Sequence, residues 1–149
     1  MKKVIVMLAV ILIGGTAYAQ TISEQDVPVV VKSKVTSLYP DVKVEKWKKN
    51  NGNYKAQFDE NKKETCVIVS PKGDLVKTKT EIDASELPAS ASEYIRKNYD
   101  GKKISEAFKI IDATGVVTYK AEVDETYLLF DANGMFMKKE KEKDMKDKH

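Results

Sequence analysis

The sequence has a single histidine, and it is the last residue, His149. That excludes a histidine-based triad inside the fold and leaves no HExxH zinc motif. There is one cysteine, Cys66, so no internal disulfide can form and no CxxC pair can hold a metal. Cys66 lies inside an apolar run without an activating group beside it, and reads as a buried strand residue rather than a reactive thiol. Neither GxGxxG nor GxxxxGK[ST] occurs, so no phosphate-binding loop is written into the chain. An excess of one charge is also missing, since 26 Lys+Arg and 23 Asp+Glu are mixed along 149 residues. Nothing resembles the clustered basic face that nucleic acid requires. The carboxylates are scattered over turns and polar strand faces, and no spacing demands an acid–base pair. The reading is therefore of a protein that is not an enzyme, with no metal and no cofactor.

What is present begins with a leader. Residues 1–19 carry Lys2 and Lys3, an apolar run from Val4 to Ile13, a break at Gly14-Gly15 and the small-x-small triplet Ala17-Tyr18-Ala19. This is the pattern of a secretory signal peptide. The apolar run is too short to span a bilayer, which takes roughly 20 apolar residues. No stable membrane anchor is expected after cleavage, and the expected location is periplasmic or secreted. The last ten residues, 140–149, read as a solvated charged tail.

Between leader and tail the chain repeats itself. "TCVIVSPKGDLVK" from Thr65 matches "TYLLFDANGMFMK" from Thr126, with Gly73 and Gly134 in step. "DVPVVVKSKVTSLYPDVKV" from Asp26 lies over "ELPASASEYIRKNYDGKKI" from Glu86, pairing Pro28 with Pro88, Val35 with Ile95 and Tyr39 with Tyr99. "YKAQF" from Tyr54 matches "YKAEV" from Tyr119. The offsets drift slightly, as loop length changes require. Two units are expected, 20–83 and 84–139, each a helix followed by four short strands.

Helical spacing recurs in Val27, Val31, Val35 and Leu38, and again in Leu87, Ala91, Tyr94, Ile95 and Tyr99. Period two then takes over. Val42 and Val44 begin a strand, and Tyr54, Ala56 and Phe58 alternate with polar residues. Asn51-Gly52, Asp124-Glu125 and the Asn133-Gly134 of "DANG" read as tight hairpin turns, and 59–64 as a polar loop. "DANG" could be a fragment of a calcium loop, but its strand flanks favour a turn. The fold class is α+β, a tandem helix-plus-four-strand repeat. It forms one antiparallel sheet of about eight strands with both helices on one face. A single unit would be marginal. Two side by side bury more surface and hide an edge each.

The second unit, with "LPxxxxxYIxxxY" from Leu87, then "TYKAEV" and "LLFDANGMF", resembles the PepSY-like family of β-lactamase-inhibitor-like (BLIP-like) proteins, which are exported bacterial proteins. The first unit keeps the Pro, the Tyr-Pro and the strand, but reads "SPKGDL" where the family tends towards DxxGxL. The resemblance implies a non-catalytic module that binds or inhibits an enzyme such as a peptidase, and so a protein partner. It assigns no inhibitory residue here. From the residues themselves, the aromatics unmatched between the units, Trp47 and Tyr127, are the candidates for a partner-binding surface. The alternative function is a periplasmic small-molecule carrier with a pocket between helices and sheet.

Overall fold

A computed structural model describes residues 20–141. Residues 1–19 and 142–149, where the leader and most of the charged tail are expected, lie outside the described residues. The sheet is a single antiparallel meander of nine strands in chain order: β1 (Gln20–Ile22), β2 (Lys46–Asn50), β3 (Asn53–Glu60), β4 (Lys63–Val69), β5 (Leu75–Ile82), β6 (Ile104–Asp112), β7 (Val117–Val123), β8 (Thr126–Asp131) and β9 (Phe136–Lys141). Helix α1 (Val29–Leu38) bridges β1 to β2, and α2 (Ala89–Asn98) bridges β5 to β6. A 3₁₀ turn precedes each helix, at Glu24–Asp26 and Ala84–Glu86. Strand, 3₁₀ turn, helix and three further strands thus occur in the same succession twice.

The helices start and stop for local reasons. Pro28 and Pro88 stand at the N-caps, where a missing N–H costs nothing. Tyr39 and Tyr99 close the last turns by donating their N–H to the Val35 and Ile95 carbonyls. Before α2 the Glu86 carboxylate accepts the Asp83 N–H at 2.6 Å, and Lys63, the first residue of β4, pairs with Asp83. The Val-rich α1 has weak intrinsic propensity, about 0.5 kcal/mol per Val. Burial of Val31 and Val35 offsets this at about 1.5–2 kcal/mol each. Leu38, expected on the buried stripe, is 42% exposed, while Val27 packs inward from just before the helix.

Two hydrophobic clusters form. One joins Val31 and Val35 of α1 to Ala56, Phe58, Val67 and Val69. The other joins Ala91 and Ile95 of α2 to Ala107, Ala121, Leu128 and Phe130. Directly paired residues share a face of a sheet. Phe58 pairs with Thr65 and Thr65 with Thr80, while Ile82 pairs with Ala107 and Ala107 with Ala121. The strand residues of both clusters therefore belong to one set of rows.

Several expectations need correction. There are nine strands, not about eight. The extra one, β1, pairs Ile22 with Trp47, as Ile82 pairs with Ala107 sixty residues on. Val42 and Val44 are not in a strand but pack on the first cluster from the loop before β2. The loop foreseen at 59–64 is a two-residue turn, with Asn61 and Lys62 both left-handed at φ 52° and 64°. The charged tail was drawn from residue 140, yet β9 runs on to Lys141, held by pairing with Thr126.

The Asn133-Gly134 turn is also wider than two residues. Asp131 Oδ1 accepts the N–H groups of Asn133 and Met135, and the Asp131 N–H donates to the Met135 carbonyl. Asp112 closes the β6–β7 loop in the same way, and in the β4–β5 loop the Ser70 hydroxyl accepts the Asp74 N–H. The Asp131 oxygen is thus engaged with the loop backbone, consistent with a turn.

Candidate functional site

Strand residues alternate between faces, so the rows between the clustered ones form a second face. It carries Lys55, Gln57, Cys66, Ile68, Lys77, Lys79, Phe108, Ile110, Lys120, Tyr127 and Leu129. Neither hydrophobic cluster includes any of these residues. Three of them are nonetheless well shielded: Cys66 is 2% exposed, Lys120 4% and Phe108 6%.

Cations and rings are interleaved here. The Lys79 ammonium sits 3.9 Å from the Phe108 ring centroid, and that of Lys120 sits 4.2 Å from the Tyr127 centroid. Loss of water pushes both lysines down, Lys120 to about 8, with Lys79 nearby adding to the effect and Glu140 opposing it. Burial likewise raises the Cys66 thiol above its ordinary value. Glu106 and Glu122 stand directly opposite each other, and burial followed by the Glu122 charge raises Glu106. These cation–π and charge contacts run between neighbouring strands of the sheet itself. Among the described residues, no group of three or more His, Cys, Asp or Glu comes together to hold a metal ion.

The two residues singled out from sequence do not meet. Tyr127 lies on the second face, half-buried beneath Lys120 and paired with Glu122. Trp47 pairs with Ala56 in the first cluster and is 5% exposed. Its Nε1 has no hydrogen-bond partner among the described residues. Trp47 lines a cleft of about 270 Å³ beside α1, together with Glu24, Lys32, Thr36 and Tyr39. Lys79, Phe108 and Lys120 were missed. The signal was present in the alternation of "VKTKTE" and "YKAEV", whose lysines must all point to one side of a strand.

No protein-family model and no curated protein matches the chain. Its fold is that of several solved Bacteroides proteins. A Bacteroides eggerthii protein described as periplasmic superposes with TM-score 0.71 at 17% identity, over 76% of this chain and 88% of that one. A Bacteroides uniformis protein of the DUF2874 family gives 0.70 at 19% identity, over the same shares, 76% and 88%. A Bacteroides fragilis protein described as BLIP-like gives 0.64 at 16% identity, over 76% and 84%. The chain is thus similar in fold to BLIP-like and DUF2874 proteins.

Proposed function

We propose that this chain is an exported, non-catalytic periplasmic module that binds a protein partner on the lysine-bearing face of its sheet. In this reading it consists of two copies of one unit laid edge to edge, with both helices on the far side. The observation that carries the reading is the register. Both hydrophobic clusters draw on one set of rows, so the alternate rows across β2–β9 remain for contact. Export is supported by the leader-like residues 1–19 and by a fold shared with a protein described as periplasmic. The finer reading is an inhibitor or modulator of an envelope enzyme such as a peptidase, and it draws on the BLIP-like neighbour. Tyr127 belongs to this contact surface, and Trp47 to the opposite side.

The test is a photocrosslinking amino acid placed at Lys77 on the proposed face or at Arg96 on the outside of α2, in the chain 20–149, with envelope extract. Crosslinks to one discrete protein from Lys77 and not from Arg96 support the proposal. Crosslinks from Arg96 alone overturn it. A second reading, a small-molecule carrier, is favoured by the cleft beside α1 and the unpartnered Trp47 Nε1 in its wall. A ligand bound there would change Trp47 fluorescence, and a protein on the far face would leave it unaltered.

A further inference from the structure

We infer that the cleft beside α1 takes a small uncharged molecule whose carbonyl oxygen accepts the Trp47 indole N–H; the inference rests on the carrier reading of that cleft and names the ligand's chemistry. Trp47 is the one tryptophan of the chain, and it stands in the cleft wall, 5% exposed. Its Nε1 is shut off from water and has no acceptor among the described residues. An indole N–H is a donor only, so nothing but an acceptor can satisfy it. Buried without one, it keeps the full cost of having left water.

The fold makes such a cleft twice. A second one, of about 420 Å³, lies beside α2, where Ile95, Tyr99 and Ile104 take the places of Val35, Tyr39 and Val44. At the position of Trp47 the second unit has Ala107, which pairs with Ile82 as Trp47 pairs with Ile22. The gap beside the helix therefore comes with the unit. What sets the first cleft apart is the buried donor.

The lining limits what the ligand is. Val35, Tyr39, Val42 and Val44 offer apolar surface, and the charges are mixed, Glu24 with Lys32 and Lys43. Glu24 and Lys43 are exposed and keep their water, so the cleft demands no ion of either sign. An acceptor that meets a water-excluded N–H must itself shed water, and a carbonyl oxygen does so at far lower cost than a carboxylate. A volume of about 270 Å³ falls just under the roughly 300–1,000 Å³ of drug-sized sites, so the ligand is small. Because Nε1 is covered, binding requires the wall to yield. The yielding part is the stretch 40–44, outside helix and strand, whose Val42 N–H reaches the Tyr39 carbonyl only at a long 3.4 Å.

The test is an NMR titration of the isotope-labelled chain 20–149, read at the indole N–H resonance, which a single tryptophan makes unambiguous. The probe is cyclohexanone. Its controls are cyclohexanecarboxylate, cyclohexylamine and methylcyclohexane, which keep the ring and change or remove the acceptor. Cyclohexanone should move the indole resonance downfield and saturably, together with the Val42 and Val44 amides. Amides around Ile104 and Ala107 should stay still, and the three controls should bring no downfield indole shift. In Trp47→Phe the Val42 and Val44 amides should report cyclohexanone binding weakened about tenfold, the worth of one hydrogen bond. Unchanged amides in the second unit will show that this variant is folded.

An indole resonance that cyclohexanone leaves unmoved, or an affinity that Trp47→Phe does not change, would overturn the inference. If a control moves the cleft resonances as much as cyclohexanone or in its place, the ligand class falls and the carrier reading stands. If none of the four compounds moves any resonance of the cleft, the carrier reading falls with it.

Discussion

Lys120 offers the sharpest physical test of the lysine-bearing face. Its side chain is 4% exposed, and burial lowers its pKa from 10.5 to about 8. A lysine with a depressed native pKa binds fewer protons folded than unfolded between those two values. Stability therefore rises as pH climbs from about 8 towards 10.5. The difference of 10.5 − 8 corresponds to about 3 kcal/mol of unfavourable burial of the charge at neutral pH. Between pH 7 and pH 10 the parent protein should recover roughly 2.5 kcal/mol of it. With a urea m-value near 2 kcal/mol/M, the midpoint should move up by about 1 M.

Other groups titrate in the same window. Lys79 is also depressed by burial and adds to the rise. Cys66 is raised by burial, so its contribution is lost as pH passes through its folded value. The measurement is therefore a difference, with urea melts of the parent and Lys120→Met at both pH values. Met keeps the length and removes the charge, at the cost of the Tyr127 contact, about 1 kcal/mol. Lys120→Met should show a clearly smaller midpoint rise than the parent. Equal rises in the two proteins would refute the reasoning and mean that Lys120 keeps its water in solution.

Two further outcomes follow from the loops. Gly134 lies under the start of α2, where an added Cβ would stand 2.7 Å from Pro88 Cβ and 2.9 Å from the Ala91 N, at φ +82°. Gly115 has a similar φ, +87°, but open space around it. Gly115→Ala should cost only the left-handed strain, about 1–2 kcal/mol, and Gly134→Ala distinctly more, as thermal melts of the two would show. The Asp112 carboxyl is held below its ordinary 3.8 by the Thr114 hydroxyl and then by loop N–H groups. Its contribution is present above pH 3.8 and lost as pH falls through the lower folded value. An acid melt of Asp112→Ala should thus lack part of the parent's stability loss below about pH 4.

The turns show which parts of the fold could be read beforehand. Asn51-Gly52 was legible because both residues tolerate positive φ at little cost. Asn61-Lys62 was not, because a left-handed Lys is imposed by the pairing of Glu60 with Lys63 rather than by its own preference. β1 was missed because a three-residue edge strand has no periodicity to detect. Its clue was the repeat itself, which sets Ile22 sixty residues before Ile82. Leu38 misled because helical spacing predicts a stripe, whereas α1 is covered on a narrower one. Trp47 looked like a free aromatic for want of a partner in the second unit. Pairing register decided its side.

The chain's covalent order thus determined the α+β class, the two helices, most of the hairpins and the absence of a histidine or disulfide framework. These follow from local periodicity and residue chemistry, which need no knowledge of neighbours. The tertiary structure alone decided that Lys79, Phe108, Lys120 and Tyr127 share one surface while Trp47 lies on the other. The reason is that a strand's two faces are equivalent until register and helix packing distinguish them. A shift of one residue would have exchanged every side chain between the clustered face and the other.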